Sequence, residues 1–191
     1  AWVEWTAPEP RTTSNTNQES GGQAFTLFDT QVNVANGETF VHVVKEITTA
    51  AGVQNGANLG FEWDPSFQVM VFHKITIQRG AQQMDRLDLA KFKVIQQETA
   101  LNRQVYNGTL SAVMFLDDVR VGDRIEYAYT LRGENPSLKG RFSEAYSLGW
   151  SLPVQQRRIL LLWPTDRKLR YRIHGSTAFK EPQVREHPGI K

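Results

Sequence analysis

The stretch Phe67-Gln68-Val69-Met70-Val71-Phe72-His73-Lys74-Ile75-Thr76-Ile77-Gln78 decides the fold class. Phe67, Val69, Val71, His73, Ile75 and Ile77 fall in one phase of a two-residue period. Gln68, Met70, Phe72, Lys74, Thr76 and Gln78 fall in the other. In a strand successive side chains point to opposite faces, so this pattern predicts one long strand with the first set in the core and the second half-covered.

Working outward, more strands appear. Residues 25–35 run into Asn36-Gly37, and residues 39–48 resume with Phe40, Val41, Val43, Val44 and Ile47. Asn-Gly between two β-prone runs predicts a hairpin with a type I′ turn, because both residues accept positive φ. Residues 50–60 (AAGVQNGANLG) read as a small-residue loop. After Arg79-Gly80 turns the central strand, residues 84–97 are expected to return as an extended segment, and a short helical turn is expected at 98–106. Further strands are predicted at 109–116, at 124–132 (with Ile125, Tyr127, Tyr129 and Leu131 on one face), at 141–150 and at 155–163, with a weaker edge at 169–173.

These elements add up to an all-β chain, an antiparallel β-sandwich of about ten strands with at most one short helix. Residues 1–24 are polar and Pro-containing and are expected to form a flexible lead-in, with Trp2 and Trp5 packing back onto the body. Residues 25–178 then form the sandwich domain, and residues 179–191 a linker.

Composition narrows the chemistry. The 191 residues contain no cysteine, which removes disulfides, thiolate metal sites and cysteine nucleophiles together. Net charge is +2, too small to argue for nucleic acid. Residues 157–191 are more basic, with nine Lys and Arg against three acids. That strip includes Arg170 and Arg172, and it is expected to act as a solvated edge that resists edge-to-edge pairing. The longest apolar run, residues 159–163, is far short of a membrane span.

Candidate catalytic groups are few. His42 and His73 are both in phase with core residues, yet a third ligand at metal-site spacing is missing, so no metal and no cofactor is expected. Asp117, Asp118, Asp123 and Glu126 could be offered as a hydrolase carboxylate set, with Asp118 or Asp123 as the acting group. They lie at a turn and a strand start, where Asp more often accepts local backbone hydrogen bonds. Asn107-Gly108-Thr109 fits a glycosylation pattern too short to carry weight. Candidate aromatics for binding a glycan or peptide reduce to Trp63, Tyr106 and Trp150, each equally explained as core.

Residues 28–164 also resemble a known family. The resemblance rests on Asp29-Thr30-Gln31-Val32-Asn33-Val34, on Phe61-Glu62-Trp63-Asp64-Pro65-Ser66-Phe67-Gln68, on Asp85-Arg86-Leu87 and on Tyr106-Asn107-Gly108. It continues through Leu116-Asp117-Asp118-Val119-Arg120-Val121-Gly122-Asp123-Arg124-Ile125-Glu126-Tyr127, Arg132-Gly133-Glu134-Asn135-Pro136 and Pro153. The chain is similar to the bacterial domain-of-unknown-function family found N-terminal to transglutaminase-like domains in exported proteins. The resemblance implies an all-β, non-catalytic module of a periplasmic or secreted protein, whose partner is its own downstream transglutaminase-like domain. The alternative is a free-standing carbohydrate- or peptide-binding sandwich. A transglutaminase-like site needs a thiolate and a histidine base, and no cysteine is present to supply the first.

Overall fold

The computed structural model describes residues 2–11, 21–96, 108–149, 154–175 and 182–185. Among them are nine strands and one α-helix: β1 (Gln23–Asn33), β2 (Glu38–Ile47), α1 (Ala50–Ala57), β3 (Asn58–Trp63), β4 (Val69–Arg79), β5 (Gln82–Asp85), β6 (Lys93–Gln96), β7 (Leu110–Phe115), β8 (Arg124–Arg132) and β9 (Arg157–Leu162). They form a larger sheet in the order β5-β4-β8-β2-β1-β9 and a smaller one in the order β3-β7-β6. The chain is mostly β, as expected, but the larger sheet is mixed rather than wholly antiparallel. Its last strand, β9, runs parallel to β1, with Thr30 opposite Ile159.

One cluster of buried side chains joins the two sheets. Ile47, Ile75, Ile77 and Ile125 come from the larger sheet, and Leu59, Phe61, Ala112 and Met114 from the smaller. Phe61 is the centre of the contact. Its ring lies 4.9 Å from Phe72, 5.2 Å from Tyr129 and 5.5 Å from Tyr127, all near edge-to-face. Each such pair adds about 0.5–1.5 kcal/mol beyond its area burial. Burial pushes the Tyr129 hydroxyl up to about 12, and that of Tyr127 higher still.

The central strand departs from strict alternation. Phe72 is opposite Tyr129 and Lys74 opposite Ala128, so His73 is an extra residue, a β-bulge. The phase shifts there: Met70 and Phe72 face the core before it, Ile75 and Ile77 after it. Val69, placed inward by a two-residue period, is 62% exposed, and His73 is exposed as well. His42, by contrast, is buried.

Other expectations shift for local reasons. The β1–β2 hairpin exists, but Asn33 pairs with Glu38 across a four-residue loop in which Gly37 alone has positive φ (61°). Residues 50–57, expected as loop, form α1. Their glycines suit close approach rather than flexibility: a Cβ on Gly52 would meet the Gly22 carbonyl oxygen at 1.7 Å. Of the segment expected at 84–97, the described residues 84–96 divide between the sheets: β5 completes the larger one, a short 3₁₀ turn follows at Leu89–Lys91, and β6 enters the smaller. Residues 141–149 and 169–173 contain no strand. The helical turn expected at 98–106 lies outside the described residues.

Candidate functional site

The larger sheet has one face on the shared core and one turned away from it, and the second carries most of the polar chemistry. Alternation places Asp29 and Gln31 of β1, Phe40 and His42 of β2, Lys74 and Thr76 of β4, and Glu126 and Thr130 of β8 on that outer face. Glu126 is its electrostatic centre. Its Oε1 lies 2.9 Å from His42 Nε2 and accepts a hydrogen bond from Lys74 Nζ at 2.8 Å. Burial pushes the Glu126 carboxyl up, but the His42 and Lys74 hydrogen bonds outweigh it and hold the group at about 2. Glu126 is therefore a fixed anion near neutral pH, not a proton donor. His73 hydrogen-bonds Thr130 Oγ1 at 2.7 Å, and burial followed by the nearby Arg132 charge lowers its pKa.

Residues 2–11 lie against this face as a segment outside the sheet ladders, touching Glu38, Gln31 and Asp29. Trp5 packs its ring edge-on against Phe40 (5.3 Å) and His42 (5.1 Å), and Trp2 Nε1 donates to Glu38 at 2.6 Å. Both tryptophans pack back onto the body, as expected. Beside the segment a cavity of about 380 Å³ opens, lined by Trp5 to Pro8 on one side and by His42, Lys74, Gln78, Arg124 and Glu126 on the other.

The acidic turn before β8 is engaged in holding the fold. Asp123 is 1% exposed at its side chain and accepts the Arg120 N–H at 2.8 Å, and Arg79 grips both of its carboxylate oxygens. Asp118 pairs with Arg79 and Arg120. Asp118, at φ 54°, is one of the described non-glycine residues in the left-handed region, a conformation Asp tolerates in tight turns. For Asp123 burial raises the pKa, but the Arg79 hydrogen bond and the Arg120 N–H bring it below the ordinary value. For Asp118 the Arg120 and Arg79 hydrogen bonds lower it. Both carboxylates are thus already bound to guanidinium groups, which supports a turn role over that of a general acid.

Of the sequence-derived binding candidates, Trp63 ends β3 and packs against the shared core, so its ring is not a free platform. Arg170 and Arg172 are exposed. Tyr106 and Trp150 lie outside the described residues, as does the asparagine of the glycosylation pattern. Among the described residues no group of three His, Cys, Asp or Glu side chains could hold a metal, and no helix is long and apolar enough to cross a membrane. Sequence reasoning missed Asp29, Gln31 and Arg158. The available signal was Asp29-x-Gln31-x-Asn33, a polar phase running through an otherwise apolar strand.

With this geometry in place, comparisons become informative. A family model described as a domain of unknown function with a solved structure (DUF3857) matches residues 34–191. No curated protein matches the chain. Among solved structures, one described as a putative protease from Parabacteroides distasonis ATCC 8503 is similar at 13% identity with a TM-score of 0.51. The match covers 59% of this chain and 23% of that one. The chain thus corresponds to about a quarter of that protein's length, and at such identity the likeness concerns the fold alone.

Proposed function

We infer the role of this chain from its family: it belongs to DUF3857, a domain family of unknown function. We propose that it is a non-catalytic module of a longer exported protein, periplasmic or secreted, that docks on or positions a downstream transglutaminase-like domain. The observation that carries the reading is the closed state of the acidic turn. Asp118 and Asp123, the best hydrolase candidates, are each held by an arginine and have depressed pKa values, which leaves neither suited to donate or accept a proton near pH 7. The fold's occurrence within a much longer chain agrees with a module.

The exposed arginines at 170 and 172 are the contact we assign to the neighbouring domain. Two experiments test the proposal. The isolated chain should hydrolyse no peptide or glycan and transfer no acyl group; turnover abolished by Asp118→Asn or Asp123→Asn would overturn the non-catalytic reading. In the longer polypeptide, Arg170→Glu with Arg172→Glu should loosen interdomain contact more at low salt than at high salt, since exposed charges are screened within about 10 Å at 0.1 M. Contact unchanged at both ionic strengths would remove those arginines from the interface.

A further inference from the structure

Gln31 does something on the outer face that a strand side chain seldom does: it hydrogen-bonds the main chain of another segment at both positions of one residue. Its Oε1 accepts the Glu4 N–H at 2.9 Å, and its Nε2 donates to the Glu4 carbonyl oxygen at 2.5 Å. A side-chain amide used this way reproduces both hydrogen bonds of a β-ladder for a single residue. Gln31 is fully buried, and so is Asp29, whose Oδ2 accepts from Gln31 Nε2 at 2.8 Å and from Thr6 Oγ1 at 2.9 Å. The Asp29 hydrogen bond holds the amide in the orientation that meets Glu4.

Around that main-chain contact sit side-chain contacts of defined chemistry. Arg158 of β9 pairs with the Glu4 carboxylate and donates to Thr6 Oγ1 at 3.2 Å. Trp5 lies on Phe40 and His42. Main-chain hydrogen bonds provide affinity for any extended segment, while the arginine and the aromatic seat select which one.

The surface beneath the segment is largely polar, with Phe40 as the buried apolar seat of Trp5. Asp29, Gln31, His42, Lys74 and Glu126 are polar, and water can solvate them when the segment lifts. An apolar core face has no such alternative. Residues 2–11 lie outside the sheet ladders, and Trp5 is 56% exposed, so the segment can detach at less cost than unfolding the sheet.

We propose that the outer face of the larger sheet is a peptide-binding groove for a segment of the pattern Trp-x-Glu-Trp-Thr, and that residues 2–11 occupy it in cis. A separate peptide of the same chemistry binds there once the tethered segment is released. This is independent of the module role proposed above.

The test keeps the whole chain. A protease site is inserted within residues 12–20, the folded protein is cleaved, and a fluorescent peptide of residues 2–11 is titrated against it. Saturable exchange is expected, competed by the unlabelled peptide but not by one with Glu4 and Trp5 interchanged. Gln31→Ala should weaken binding about tenfold, the effect of losing two main-chain hydrogen bonds. Arg158→Ala should reduce the discrimination against the interchanged peptide. A cleaved chain that keeps its native circular dichroism without binding the peptide would overturn the proposal. Equal binding of the interchanged peptide would do the same. A chain that unfolds on cleavage and is not restored by the peptide would show the segment to be an integral part of the fold, and would equally overturn it.

Discussion

Arg79 and Asp123 meet through two parallel hydrogen bonds, Nε to Oδ1 and Nη2 to Oδ2, each 2.8 Å long, at the point where the end of β4 reaches the turn before β8. The Asp123 side chain is 1% exposed and that of Arg79 27%, so only the carboxylate is wholly withdrawn from water. Removing the carboxylate leaves the Arg120 N–H and one side of a guanidinium without their acceptor. Asp123→Ala should therefore destabilise the fold by about 2–3 kcal/mol, just under the cost of breaking a fully buried pair because Arg79 stays partly solvated. Thermal unfolding should move down by about 4–12 °C. Asp118→Ala, at a half-exposed position, should move it much less. Equal shifts for the two would mean that the bidentate contact is not the anchor.

Glu126 should make stability fall in acid. Its folded pKa is about 2 against an ordinary 4.5, so its contribution is fully present above about 4.5 and is lost as pH falls through about 2. The urea midpoint of Glu126→Gln should lie below that of the parent at pH 7, and the gap should close between about pH 5 and pH 2. A gap independent of pH would place the effect in packing rather than in charge.

The bulge at His73 makes a sharper prediction. His73→Ala loses a part-buried hydrogen bond to Thr130 and a ring contact with Phe40, and should cost some stability while keeping the fold. Deleting His73 shortens β4 by one residue and removes the bulge, joining Phe72 directly to Lys74 in their existing register against Tyr129 and Ala128. Met70, Phe72, Ile75 and Ile77 then fall in one unbroken two-residue period and all stay inward. The deletion should therefore keep a cooperative unfolding transition, as the alanine variant does, and its loss would mean that the bend made by the bulge is itself required.

Lys45 is 5% exposed, and burial lowers its pKa from 10.5 to about 8. Between those values the unfolded chain binds the extra proton, so stability should rise with pH from about 8 to about 10.5. Lys45→Met removes the buried amine at nearly constant length and should stabilise the fold at pH 7 by about 1–3 kcal/mol. Denaturant midpoints measured across pH 7–11 would show the parent curve climbing toward a flat variant curve. A destabilised methionine variant would mean that the ammonium group is well solvated in the folded state.

Local patterning determined the class of this protein and the places of its principal strands. Period-two runs marked β4 and β8, and the Asn-Gly dipeptide marked the β1–β2 hairpin. The absence of cysteine excluded thiolate chemistry outright. Burial of His42 could also be read, because its phase with Phe40 and Val44 is unbroken along β2. Only the tertiary structure decided what depends on a distant partner. An extra residue in β4 has no sequence signature until Tyr129 and Ala128 stand opposite Phe72 and Lys74, so the inward phase before His73 was misplaced. Gly52 and Gly56 argue against a helix by propensity, and α1 forms where Gly52 lies under the Gly22 carbonyl, a contact 30 residues away in sequence. The outer face follows the same rule: Gln31 becomes a reader of main chain only where Glu4 lies across it. Periodicity reports the phase of a side chain within its own strand. It carries no record of the segment that will cover that side chain.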